Sequence, residues 1–182
     1  MTTGAILALA VPATVALVGI FATYANSLRL ARRRDRLERL NQQLSDLYGP
    51  LVSLSSASQA AWVVFRRRWR PYVRSYWGDP ELNDEERVAW RTWMGAVFMP
   101  LNRRMRDVVV ERADLLEESS IPACLLDLCA HVAAYEAVLA QWDQGNYSEN
   151  TADINFPMAA VSGYAEASFA RLKAEQQKLL AS

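Results

Sequence analysis

The stretch LARRRDRLERLNQQLSDLYGPLVSL, residues 30–54, decides the fold. Leu30, Leu37, Leu40, Leu44, Leu47, Leu51 and Leu54 recur at alternating spacings of three and four, with Arg33 in the one vacant place. That period is the heptad seam of a long amphipathic helix, not the two-residue alternation of a strand. Gly49-Pro50 interrupts the run, because proline removes a backbone donor and disfavours a helical residue before it. The apolar phase nevertheless continues unchanged to Ala61 and Phe65. The spacing therefore predicts one long kinked helix over 29–70 rather than a reversal at Gly49-Pro50. Leu37, Leu40, Leu44 and Leu47 are the candidate self-association seam.

On the N-terminal side, residues 4–25 carry no charge. Ala5 to Ala25 is long enough to span about 30 Å as a helix, the thickness of a bilayer's hydrocarbon core. Pro12 inside it is tolerated in lipid when neighbours satisfy the freed carbonyl. The arginines follow this segment: Arg29, Arg32, Arg33, Arg34 and Arg36 form a juxtamembrane basic cluster suited to anionic headgroups. A secretory signal peptide places its basic region before the apolar core, so the pattern reads as an anchor over 1–28. Arginine-rich flanks stay cytoplasmic, which puts the N-terminus outside and the bulk of the chain inside a bacterial inner membrane. Ala5, Ala8, Pro12, Ala16, Gly19, Thr23 and Asn26 add a stripe of small residues along this helix.

On the C-terminal side, WVVFRRRWRPYVRSYW over 62–77 packs arginines among aromatics. Arg66, Arg67, Arg68, Trp69, Arg70, Tyr72, Arg74, Tyr76 and Trp77 are the candidate surface for a protein partner or for lipid. The same chemistry suits nucleic acid, but the aromatics serve a core equally well, and nucleic acid is not the expected partner. Residues 71–83 read as a loop with a turn at Gly78-Asp79-Pro80.

The remaining chain, 84–182, reads as a helical bundle. Asn83 with Glu86 three residues on is a capping box. The helices are expected over about 84–118, 121–144 and 158–181. Pro100 should kink the first, and Gly145 should cap the second. The expected fold is all-α: one N-terminal transmembrane helix followed by a largely antiparallel cytoplasmic helical bundle.

Twenty basic residues balance twenty acidic ones, but unevenly. Residues 26–78 hold eleven arginines against Asp35, Glu38 and Asp46, whereas 79–182 hold nine basic and seventeen acidic residues. Either the basic half faces anionic lipid, or the two halves pair inside one bundle. Cys124 and Cys129, five apart on a helix, point too far apart for a disulfide and fit a reducing cytoplasm.

Chemistry is sparse. His131 is the sole histidine. Asp127, one turn below it, is its nearest carboxylate in sequence, and together they are the only centre an enzyme or metal protein could use. The scattered glycines build no phosphate-cradling loop, and no serine or cysteine sits in a nucleophile elbow. Asp107, Glu111, Asp114 and Glu118 line one helix face as a solvated stripe. The expected function is therefore non-catalytic: a membrane-anchored interaction or scaffold protein, self-associating and binding an unidentified protein partner, with no cofactor.

Overall fold

A computed structural model describes residues 3–72, 76, 81–152 and 154–181, with side chains from Gly19 onward. Every regular element among them is helical. α1 (Thr3–Gln42) runs through a π turn (Gln43–Tyr48) into α2 (Gly49–Trp69). α3 (Asp84–Trp93) runs through a second π turn (Met94–Phe98) into α4 (Met99–Glu111), followed by a 3-10 turn (Ala113–Leu115). α5 (Ala123–Asp143) and α6 (Met158–Ala181) complete the chain.

The rod α1–α2 does not reverse at Gly49-Pro50. At about 1.5 Å per residue it reaches roughly 100 Å. The π turn explains how it passes a proline. Pro50 has no N–H, and its ring would strike the carbonyl four residues back in an α-helix. Widening the preceding turn lets the Gly49 N–H bond to the Leu44 carbonyl instead. The same device precedes Pro100, where the Met99 N–H bonds to the Met94 carbonyl. Both proline signals were legible in sequence as kinks; the local remedy is one extra residue in the turn.

α6 runs antiparallel to the rod, its last turn beside Arg33 and its start beyond Tyr48. Arg36 grips Glu175 through two bonds of 2.7 and 2.8 Å. Arg33 donates to the Leu179 carbonyl, at the negative end of the α6 dipole. α2 packs on α4 and α6, and α5 lies against α4 and α6. Leu40, Leu47, Leu51 and Leu172 are completely buried between the rod and α6 and their neighbours.

A second core region is aromatic. Phe65 is fully buried, with Tyr76, Trp93, Trp62 and Trp90 at ring-centroid distances of 4.8, 5.4, 5.7 and 5.8 Å. Below it, Arg70 is 3% exposed, pairs with Glu86 at 3.6 Å and donates to the Tyr76 carbonyl. Glu86 also closes the capping box: its carboxylate accepts from the Asn83 N–H at 3.0 Å, and its own N–H donates to Asn83 Oδ1 at 2.9 Å. Gly145 caps α5 at φ +79°, a conformation that favours glycine.

Among the described residues α5 is long and apolar enough to cross a membrane by length and composition. In α5 that character serves the bundle, since Leu125, Leu128, Val132, Tyr135 and Val138 are buried in it. The expected span Ala5–Ala25 falls mostly on residues whose side chains lie outside those described. From Gly19 to Arg32, however, every α1 residue is exposed, including Ile20, Phe21 and Tyr24. The rod thus leaves the bundle at Arg33 and stands clear of it.

Candidate functional site

A cavity of about 350 Å³ lies between α2, the α3–α4 helix, α5 and the loop that joins α5 to α6. Its walls come from residues four apart on each helix. α2 supplies Ser58 and Trp62, and α5 supplies His131 and Tyr135. Trp90, Met94, Phe98 and Asn102 descend the third wall. In a plain α-helix each four-residue step overshoots a full turn by about 40°. The wider Met94–Phe98 turn takes part of that drift back and keeps all four side chains on the cavity.

Three buried ring N–H groups hold the loop over it. Trp142 Nε1 donates to the Glu149 carbonyl, Trp90 Nε1 to the Asn150 carbonyl, and His131 Nδ1 to the Ile154 carbonyl, each at 2.7 Å. A loop without ladder partners must satisfy its carbonyls in some such way. Arg91 adds a cation–π contact, its Cζ 4.4 Å from the centre of the Tyr147 ring.

His131 is 2% exposed, with its ring against Tyr135 and Phe156 at 4.9 and 5.2 Å. The Ile154 carbonyl requires a proton on Nδ1, so Nε2 carries the lone pair and accepts from Asn102 Nδ2 at 3.5 Å. Burial lowers the His131 pKa below its ordinary 6.5, with the Ile154 carbonyl opposing. The imidazole is neutral at pH 7. Asn102 is itself 2% exposed, and its Oδ1 is buried with no partner among the described residues. The site is an aromatic-lined chamber with one neutral His–Asn pair and, on Asn102, one buried acceptor without a partner among the described residues.

Asp127 does not join His131: it is exposed on α5, and the ring nitrogens face Ile154 and Asn102 instead. No group of three or more His, Cys, Asp or Glu side chains among the described residues could hold a metal. Cys124 and Cys129 are free, and burial pushes both thiols up.

The Arg66–Trp77 surface is divided. Arg67, Arg68 and Tyr72 are exposed, Arg66 and Trp69 half-buried. Arg70 and Tyr76 are interior: Tyr76 is 1% exposed and its hydroxyl donates to the Glu86 carbonyl at 2.7 Å. They fasten the end of the aromatic core rather than facing a partner. Arg74 and Trp77 lie outside the described residues. Because the rod is continuous, Arg66 stands about 55 Å from Arg29, so both basic clusters cannot lie on one membrane surface.

The Arg29–Arg36 cluster is divided too. Arg29, Arg32 and Arg34 are exposed, while Arg33 and Arg36 bind α6. In the leucine seam, Leu40, Leu44 and Leu47 are buried by this chain's own helices, and Leu37 is half-buried. The seam expected to join two copies instead joins the rod to its own bundle. The acidic face is likewise engaged in part. Arg106 pairs with Asp107 at 2.8 Å and with Glu136 of α5 at 2.9 Å. The Tyr164 hydroxyl donates to Glu118 at 2.9 Å.

No family model, curated protein or solved structure matches the chain.

Proposed function

We propose that this chain is a membrane-anchored, non-catalytic interaction module. Ala5–Ala25 spans a bacterial inner membrane with the N-terminus outside, and the bundle hangs from it in the cytoplasm. One observation carries the reading: the exposed run from Gly19 to Arg32, which stands free of the bundle with Ile20, Phe21 and Tyr24 in the open. A bare apolar helix of this kind is costly in water and stable in lipid. Arg29, Arg32 and Arg34 follow it within about two turns, at headgroup depth. The two thiols without a disulfide suit a reducing compartment. The membrane-distal tip, with Arg67, Arg68 and Tyr72, offers the partner surface.

The test is topology. Alkaline extraction should leave the chain in the membrane pellet. In a background with Cys124→Ser and Cys129→Ser, Thr2→Cys should react with an impermeant maleimide on intact cells. Extraction into the alkaline supernatant, or labelling only after lysis, would refute the anchor.

A further inference from the structure

We propose that the cavity beneath the α5–α6 loop is a binding site for a small aromatic molecule, held by ring–ring and sulfur–ring contacts. The volume, about 350 Å³, is within the range of small-molecule sites. Rings reach it from two directions. Trp62, Trp90 and Phe98 come from α2 and the α3–α4 helix, their centroids 6.0–6.2 Å apart and their planes inclined by 35 to 85°. Tyr135 comes from α5 and Phe156 from the loop, packed against the His131 ring at 4.9 and 5.2 Å.

Because these rings differ in tilt, the lining presents both ring faces and ring edges. Faces are the negative part of an aromatic quadrupole and edges the positive part, and a ring guest meets each with its own opposite part. An aliphatic guest of the same size fills the space but brings no quadrupole. Met94 and Met158 also line the cavity, and a thioether sulfur gains from contact with a ring. Gln59, Thr151 and Asn155 line it and are exposed, so it opens to solvent between α2 and the loop, and a polar substituent on the guest belongs at this rim. Two of the lining rings also tie down the loop, Trp90 on the Asn150 carbonyl and His131 on the Ile154 carbonyl. The walls are thus ordered before a guest arrives, which lowers the cost of binding.

The experiment is photolabelling of the full chain in mild detergent with benzophenone, read by mass spectrometry of its peptides. Under near-ultraviolet light the benzophenone carbonyl takes a hydrogen from a neighbouring C–H bond and joins to that carbon, methionine side chains foremost. We expect saturable labelling at Met94 or Met158, and none at Met99 or Met105, which are buried elsewhere in the bundle. Naphthalene should displace the label at a mole fraction in the micelles about threefold to tenfold lower than its saturated counterpart decalin requires, the worth of aromatic pairing beyond burial. Comparing mole fractions in the micelle cancels the different solubilities of the two hydrocarbons. The native chain suffices, so no variant has to fold. No labelling at Met94 or Met158, labelling there that does not saturate, or equal displacement by decalin would each overturn the assignment.

Discussion

Gly49→Ala should destabilise the protein, whereas the same substitution at Gly95 and Gly163 should stabilise it. All three glycines are helical. Alanine normally gains about 0.5–1 kcal/mol over glycine in a helix, because glycine loses more backbone freedom on folding. At Gly95 and Gly163 a Cβ would meet nothing within 4 Å, so that gain should appear undiminished. At Gly49 the Cβ would lie 2.4 Å from the Leu44 carbonyl oxygen, closer than the 3.0 Å that real Cβ atoms respect. That oxygen is the acceptor of the π turn's closing bond from the Gly49 N–H. Backing it away by about 0.6 Å therefore weakens the bond that lets the helix pass Pro50. Overpacking costs about 1–3 kcal/mol and a weakened hydrogen bond up to about 1. Against the propensity gain, the net loss is up to about 3 kcal/mol, or as much as roughly 12 °C in Tm for a chain of this size. Thermal unfolding of the three variants by far-ultraviolet circular dichroism reads the signs directly. A Gly49→Ala protein as stable as the other two variants would refute the steric account of the π turn.

Phe65→Ala removes the ring at the centre of the aromatic core and should cost about 3–5 kcal/mol; a loss under 1 kcal/mol in chemical denaturation would show that the core repacks. Glu86 both caps α3 and pairs with buried Arg70. Asn83→Ala, which removes only the cap, should cost about 1 kcal/mol. Glu86→Gln, which keeps a capping side chain but removes the charge that faces buried Arg70, should cost more, up to about 3 kcal/mol. The reverse order would place the energy in the cap. His131 predicts a pH dependence. Its folded pKa lies below its ordinary 6.5, so the unfolded chain binds the extra proton first. Stability contributed by the neutral ring is complete above pH 6.5 and lost as pH falls through the folded value, by at most about 1.4 kcal/mol per pH unit. Glu175, lowered by its bond to Arg36, acts in a separate window below pH 4.5. Melting curves between pH 7.5 and 5 should slope in the native chain and flatten in His131→Gln; equal slopes would assign the titration elsewhere.

The helices, the rod's continuity, the Asn83–Glu86 box and the Gly145 cap were legible because each rests on local spacing or backbone geometry. What sequence left open was partnership. The leucine seam has the same period whether its partner is a second copy or α6, and only the return of α6 along the rod decides it. The charge asymmetry had the same ambiguity. Part of it resolves as pairing between the halves, with Arg36 on Glu175 and Arg70 on Glu86. Arg29, Arg32, Arg34, Arg67 and Arg68 remain exposed. Asn102 escaped notice because an asparagine amid apolar neighbours carries no motif. Its signal was the four-residue ladder Trp90, Met94, Phe98, Asn102, aligned only because a turn near Pro100 is wide.

Distance separates anchoring from ligand binding. Trp62, on the cavity wall, lies about 50 Å along the rod from Leu28, where the proposed anchor ends. If the chain is anchored as proposed, a molecule dissolved in the bilayer has no direct lateral path from its core to the cavity. On that reading, whatever enters the cavity arrives through water or from a bound partner. The rod's stiffness matters for the same reason. Pro50 could have broken the rod, and it is instead passed by a π turn closed by the Gly49 N–H on the Leu44 carbonyl. A chain that needed only a flexible tether would have no use for that continuity. A chain that must hold a binding chamber at a fixed height from a surface would.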